Sequence, residues 1–386
     1  MKAVRTNRLA VGVETSCKYP LRLELWKMRL CKAFGADSLF IPDHLSTVSP
    51  EGGWSGEATP AAKAVPAEAA FFEPFVMLGM MAARFGRVRI GTGVTEPFRH
   101  HPATLAQAFA TLDHLTRGRA ILGIGSGERE NIEPYGIQFT SRGARLEEAL
   151  RIIRLLWESG GRPVDFEGAF WRLSGARFEM PLYGGRAPAI WVGAHGPKGL
   201  AATGRYGDGW YPTIKLSAAE YRARLETIIR SAIESGRAMD RFEPAAQVFV
   251  MLGPRRSEVL RMAARTPAVA TLLLSVPPRI WKRHGLKHPL EAGYAGFGTT
   301  LSRELAARHL EEARAQAAPE LIGDVVYAGN TGEVAEEILR LVPSGLRHVV
   351  IANFSPMVRG FRIDDLLRLA FLIRRLRRVR TAAMPG

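Results

Sequence analysis

The chain has 386 residues, 47% of them apolar, which supports a large buried core and is too long for one ordinary small domain. Its formal net charge is +16, mostly from arginine, but no zinc-finger spacing, RNA-binding signature or heptad array accompanies it, so nucleic acid is not the expected partner. Two cysteines, Cys17 and Cys31, without a C-x-x-C spacing argue against a disulfide framework and a structural zinc site and fit a reducing cytosol; no signal-peptide pattern or transmembrane run of about 18 apolar residues is present.

Leu9 to Glu14 reads as a first strand. Pro20 opens a helical stretch with Leu23, Trp26, Leu30 and Phe34 on one apolar face, stopped by Gly35. Ser38 to Ile41 is a second strand, ending at Pro42-Asp43-His44. Residues 46 to 70 are rich in Ser, Gly, Pro, Glu and Ala and read as an inserted loop. Phe75 to Phe85 is helical, and Val88 to Val94 is a third strand, ending in Thr95-Glu96-Pro97. Pro102 starts the next helix, where its missing N–H costs nothing, and Gly118 ends it.

The fourth strand, Ala120 to Ile124, breaks into Gly123, Gly125 and Gly127, then into Glu128, Arg129, Glu130 and Asn131. A buried strand opening into a glycine-rich polar turn suits a parallel sheet with chemistry at its C-terminal edge. Ser141 is placed to cap a helix carrying Leu146, Leu150, Ile153 and Trp157. Residues 160 to 187 read as an excursion containing a small hairpin. Ala189 to Val192, Asp208 to Tyr211, Ala245 to Leu252 and His348 to Ala352 are strands five to eight, separated by helical stretches. Residues 266 to 320, with Trp281, His284, His288 and a glycine-rich GYAGFG, form a larger insertion. Ile363 to Leu376 is the last helix.

Eight strands alternating with helices imply parallel pairing and right-handed crossovers. An open dinucleotide-binding sheet would need G-x-G-x-x-G after the first strand, where this chain has Glu14-Thr15-Ser16. The fold expected is therefore one (β/α)8 TIM-barrel domain over 1–386, with insertions after strands 2, 4 and 7. Its active site belongs at the C-terminal ends of the strands, which bear Glu14, Asp43-His44, Thr95-Glu96, Glu128 to Asn131, His195 and Asn353. These supply acids, bases and amides, with no tight set of metal ligands, so no metal is expected.

The segments SLFIPDH, RIGTGVTEPFRHHPA with the stretch after it, WVGAHGPKG and GDGWYP resemble the bacterial luciferase-like superfamily. They are more narrowly similar to its coenzyme F420 branch, and within it to the phthiodiolone dimycocerosate ketoreductases. The resemblance covers about residues 8 to 360. It implies His44 near the reactive centre of a bound deazaflavin ring, with Asp43 beside it. It implies a non-prolyl cis peptide at Gly93-Val94 against the ring's back face, next to Thr95. Glu128 and Asn131 match the acid and amide after strand four. Gly193, Ala194, His195 and Gly196 match the backbone that holds the cofactor's phosphate-bearing tail. The sugar-phosphate dehydrogenase of this branch has Trp where this chain has Val48, which argues against glucose 6-phosphate as substrate.

The expected reaction is hydride transfer from reduced F420 to the carbonyl of a hydrophobic, lipid-like small molecule. His44 is the proton donor, with Glu128 setting its protonation or acting as the alternative acid. The alternative is a luciferase-like monooxygenase using FMN; a non-catalytic scaffold would not need this set of polar strand ends. The apolar insertion, with Leu272, Leu273, Leu274 and Trp281, is either a lid over the substrate or ordinary helix packing. Leu366, Leu369, Phe371, Ile373 and Leu376 read as the apolar side of the closing helix. Five Arg follow between 374 and 380, giving a solvated basic end or a peripheral membrane contact. A cytoplasmic homodimer is the assembly the family implies.

Overall fold

A computed structural model describes residues 7–47, 53–290 and 303–381, so Val48 and the GYAGFG stretch lie outside the described residues. Eight parallel strands alternate with helices: β1 (Ala10–Glu14), β2 (Ser38–Ile41), β3 (Arg89–Thr92), β4 (Ala120–Gly125), β5 (Ala189–Gly193), β6 (Gly209–Trp210), β7 (Glu243–Leu252) and β8 (His348–Asn353). Each pairs in parallel with the next. The cylinder closes where Glu243 and Pro244 of β7 meet Gly209 and Trp210 of β6, and where β8 lies beside β1. The expected (β/α)8 barrel is the observed one.

The strands are apolar on both faces because both are covered. Phe40, Ile121, Trp191, Tyr211, Ala245 and Val350 fill the barrel's interior. The outward residues pack on helices such as Leu21–Ala33, Pro102–Thr116 and Arg142–Glu158. The end of the barrel away from the strand C-termini is stoppered by a polar knot. Arg89 Nη1 donates to Glu243 Oε2 at 2.6 Å, His348 Nδ1 lies 2.7 Å from Glu243 Oε1, and Ser38 Oγ lies 2.8 Å from His348 Nε2. Burial alone would raise the Glu243 carboxyl, but Arg89 and His348 outweigh it and hold it down at about 2.

The excursion after β4 contains the expected hairpin, Val164–Glu167 against Arg172–Ala176. After β7 the chain builds short helices, including Arg256–Ala264, Pro267–Leu274 and Pro278–Arg283, around a core of their own that buries Leu273, Leu274 and Trp281. For these three residues, helix packing is the arrangement observed. Tyr327–Gly329 then adds a short parallel strand to the outer end of β7, which the alternation did not foretell. Ser141 does precede its helix, but at φ 51° and without a side-chain cap bond. Phe371 is 56% exposed and does not belong to the closing helix's buried side, whereas Leu369, Ile373 and Leu376 do.

Candidate active site

The C-terminal ends of β1 to β5 bring most of the expected residues to one mouth. The third strand stops at Thr92, the Gly93–Val94 peptide is cis, and pairing resumes at Thr95, whose N–H donates to the Gly123 carbonyl at 2.8 Å. Val94 then packs over a glycine-lined floor: a Cβ on Gly125 would come within 2.9 Å of its side chain, and one on Gly193 within 3.3 Å. Gly93 itself lies against Glu14 and Tyr211, where a Cβ would sit 2.3 Å from Glu14 Oε2. The missing side chains make room for Val94 between the ends of β3, β4 and β5, and for Gly93 over Glu14.

His44 rises beside this surface. Its Nε2 lies 3.3 Å from Glu128 Oε2, both side chains are about one-third exposed (31% each), and its ring meets Phe71 edge-on at 5.2 Å. Asn131 is buried and ties the two loops together. Its Oδ1 accepts from the backbone N–H groups of Leu45 and Ser46 at 2.8 and 2.9 Å, and its Nδ2 donates to Glu128 Oε2 at 3.3 Å. Asn131 thus fixes the chain next to His44 and the acid that faces it.

The carboxylate of Asp43 is buried and engaged by its neighbours. Arg99 Nη2 donates to Oδ1 at 2.9 Å, while Thr95 Oγ1 and His100 Nε2 approach Oδ2 at 2.5 and 3.0 Å. Burial would raise this carboxyl, but His100, Arg99 and Thr95 outweigh that and keep it below the usual range. Arg99 also donates to Glu96, so the strand-end acids at 43 and 96 share one buried cation. Asn353 is likewise occupied locally, accepting from Ser355 Oγ at 2.6 Å.

His195 follows β5. Its Nε2 lies 3.1 Å from Thr213 Oγ1, while Nδ1 is buried without a partner among the described residues. Burial first, then the charges of Arg224 and Arg279, push its pKa down to about 4, so it is neutral at physiological pH. Ala194 is buried and its carbonyl accepts from Trp210 Nε1 at 2.8 Å, whereas Gly196 is exposed at the start of helix Pro197–Tyr206. The segment after β5 therefore sits in a positive field, with one ring nitrogen unused among the described residues.

Two residues of the mouth, Tyr211 and Gln247, were not singled out as site residues from the sequence; both donate to the strand-end acid Glu14. Glu14 Oε2 accepts from Tyr211 OH at 2.9 Å and from Gln247 Nε2 at 2.7 Å, directly beneath Gly93. Burial, opposed by those two bonds and assisted by the charge of Glu128, pushes the Glu14 carboxyl up to about 8. The available signal was Gln247, one amide in the apolar run of β7. An acid whose pKa rises from 4.5 to about 8 on folding contributes most stability below pH 4.5 and loses it as pH climbs through about 8. Glu14→Gln keeps an acceptor for both donors. At pH 7 it is expected to stabilise the cofactor-free protein by about 2 kcal/mol, discounted because the mouth is partly open to water. The gain should vanish near pH 4.5. Urea unfolding across that range checks it; a pH-independent difference would refute the assignment.

Comparison with known proteins adds to this geometry. Residues 33–348 match the family model described as luciferase-like monooxygenase. A phthiodiolone/phenolphthiodiolone dimycocerosates ketoreductase of Mycobacterium kansasii is 41% identical over 327 residues, covering 83% of this chain and 88% of that protein. A 5,10-methylenetetrahydromethanopterin reductase of Archaeoglobus fulgidus is 29% identical over 282 residues, covering 72% and 81%. Among solved structures, an F420-dependent secondary alcohol dehydrogenase in complex with an F420–acetone adduct superposes with a TM-score of 0.69 at 21% identity, covering 97% of this chain and 98% of that one. At that identity the likeness speaks for the fold.

Proposed function

The chain belongs to the luciferase-like monooxygenase family, and from that premise we propose that it is an F420-dependent oxidoreductase reducing a carbonyl on a hydrophobic, lipid-like substrate. The observation carrying this reading is the strand-end arrangement of Val94 seated against Gly125 and Gly193, with the His44–Glu128 pair on the neighbouring strand ends. The name of the kansasii relative supports a ketone as the acceptor.

The residues present fit the cofactor. Val94, seated against Gly125 and Gly193 at the strand ends, would meet the flat ring, and His195 Nδ1, buried and unpartnered among the described residues beside Arg224 and Arg279, suits an anionic tail. When bound, the reduced deazaflavin supplies hydride. His44 then protonates the oxygen on which negative charge develops, and Glu128 steers its ring and proton. Asn131 and Asp43 act as positioning groups. Asn131 pins Leu45 and Ser46, while Asp43 locks the strand ends through Arg99, His100 and Thr95. By resemblance the enzyme is taken to be a cytoplasmic homodimer.

The second reading, an FMN monooxygenase, rests on the family's own description. Titrating the purified protein with coenzyme F420 and with FMN separates the two. Saturable quenching of F420 fluorescence at micromolar concentration, with weaker FMN binding, is the expected result. Tight binding of FMN alone would overturn it.

A further inference from the structure

The barrel's closing helix, Ile363–Arg377, buries Leu369, Leu372, Ile373 and Leu376. Its outer face is unusual. Ile363 is 77% exposed, Leu367 52% and Phe371 56%, at successive steps of four. Continuing by three and four reaches Arg374 and Arg378, both exposed. At about 100° per residue these five side chains fall within an arc of roughly 80°. The one acid on the outer face, Asp364, is engaged by Arg359, Arg362 and Arg368. Arg374 and Arg378 make no ion pair among the described residues.

The helix after β1, Leu21–Ala33, is its neighbour around the barrel, since β8 pairs with β1 and Arg377 Nη2 reaches Asp37 at 3.2 Å. That helix presents Trp26, 40% exposed, one turn from exposed Arg22 and Arg29. Its acid Glu24 is buried against Lys27. Two neighbouring helices therefore show large apolar groups interleaved with guanidinium groups that make no ion pair among the described residues.

We propose that this face docks on an anionic lipid bilayer, with Ile363, Leu367 and Phe371 entering the interfacial layer and Arg374 and Arg378 meeting lipid phosphates. Apolar residues flanked by arginine are what an interface-seeking helix needs, and tryptophan favours the same depth. A second copy of the chain is a poor occupant, because the like-charged arginines would face one another. A strand-connecting helix runs antiparallel to the strands, so Ile363 lies on the side of the mouth, where a membrane-borne apolar substrate would enter. The link to the mouth rests on the lipid-like substrate proposed above; vesicle binding itself is read without substrate or cofactor.

The test is sedimentation of the full chain with vesicles of phosphatidylglycerol and phosphatidylcholine in equal parts, and with phosphatidylcholine alone. Binding is expected to the mixed vesicles, weakened by salt. Arg374→Ser with Arg378→Ser should weaken it about 30-fold, at about fivefold per charge. Leu367→Ser with Phe371→Ser should weaken it further, with melting and turnover on a short soluble ketone unchanged in both variants. No binding by the parent protein, or equal binding by both variants, would overturn the proposal. So would a fall in molar mass by light scattering in place of lost vesicle binding, which would make this a face between copies.

Discussion

His44→Ala is expected to lower kcat by a factor of about 10² to 10⁴, the range over which a positioned proton donor contributes. Cofactor affinity should stay within a few-fold of the parent, because the proposed reading assigns the ring's support to Val94 and its glycine neighbours and the tail's to the segment after β5. Glu128→Gln should cost less, since it removes the partner and leaves the imidazole. His44 and Glu128 lie 3.3 Å apart, so the double variant should fall short of the product of the two single effects. Single-turnover oxidation of bound reduced F420 by a ketone measures the step directly. An unchanged rate in the alanine variant would remove His44 from the reaction; a lost cofactor Kd with a normal rate at saturation would reassign it to binding.

Gly123→Ala should be the most damaging single-methyl change in the mouth. The added Cβ would stand 1.8 Å from the Thr92 carbonyl oxygen and 2.9 Å from its carbon, and neither is a flexible side chain. Moving the strand apart would sacrifice the bonds from Thr92 Oγ1 and the Thr95 N–H to the Gly123 carbonyl. The cost is on the order of 3 kcal/mol or more, against a typical total of about 5–15 kcal/mol. Gly143→Ala is the matched control, because a Cβ there meets nothing within 4 Å inside a helix. It should be neutral or slightly stabilising. Comparable melting of the two variants would show that β3 and β4 can separate at the kink without penalty.

The barrel was legible because its strands are short apolar runs punctuated by Gly and Pro, and the helices between them carry an apolar face. The ends of the strands were legible for the same reason, and with them Asp43, His44, Glu128 and Asn131. Contacts across the cylinder were not. Nothing local ties Glu14 to Tyr211 and Gln247, which come from β1, the end of β6 and β7 and meet only when the sheet closes. The Tyr327–Gly329 strand escaped notice because three residues hold no periodicity. Phe371 misled because hydrophobicity and helical spacing say which residues share a face, while the neighbouring elements decide which face is covered. The cis bond at Gly93–Val94 came from resemblance; the residues themselves gave only a glycine in a crowded place.

The knot that stoppers the barrel has a bearing on how proteins are classified by local geometry. Ser38, His348 and Glu243 stand at 2.8 and 2.7 Å from one another in the order hydroxyl, imidazole, carboxylate, the spacing of a hydrolase's charge relay. Here the hydroxyl and imidazole are sealed from solvent, no oxyanion could reach them, and Arg89 claims the acid. A template search by interatomic distance alone would score this barrel as a serine esterase. Solvent access and the end of the cylinder on which a trio sits must be part of any such template.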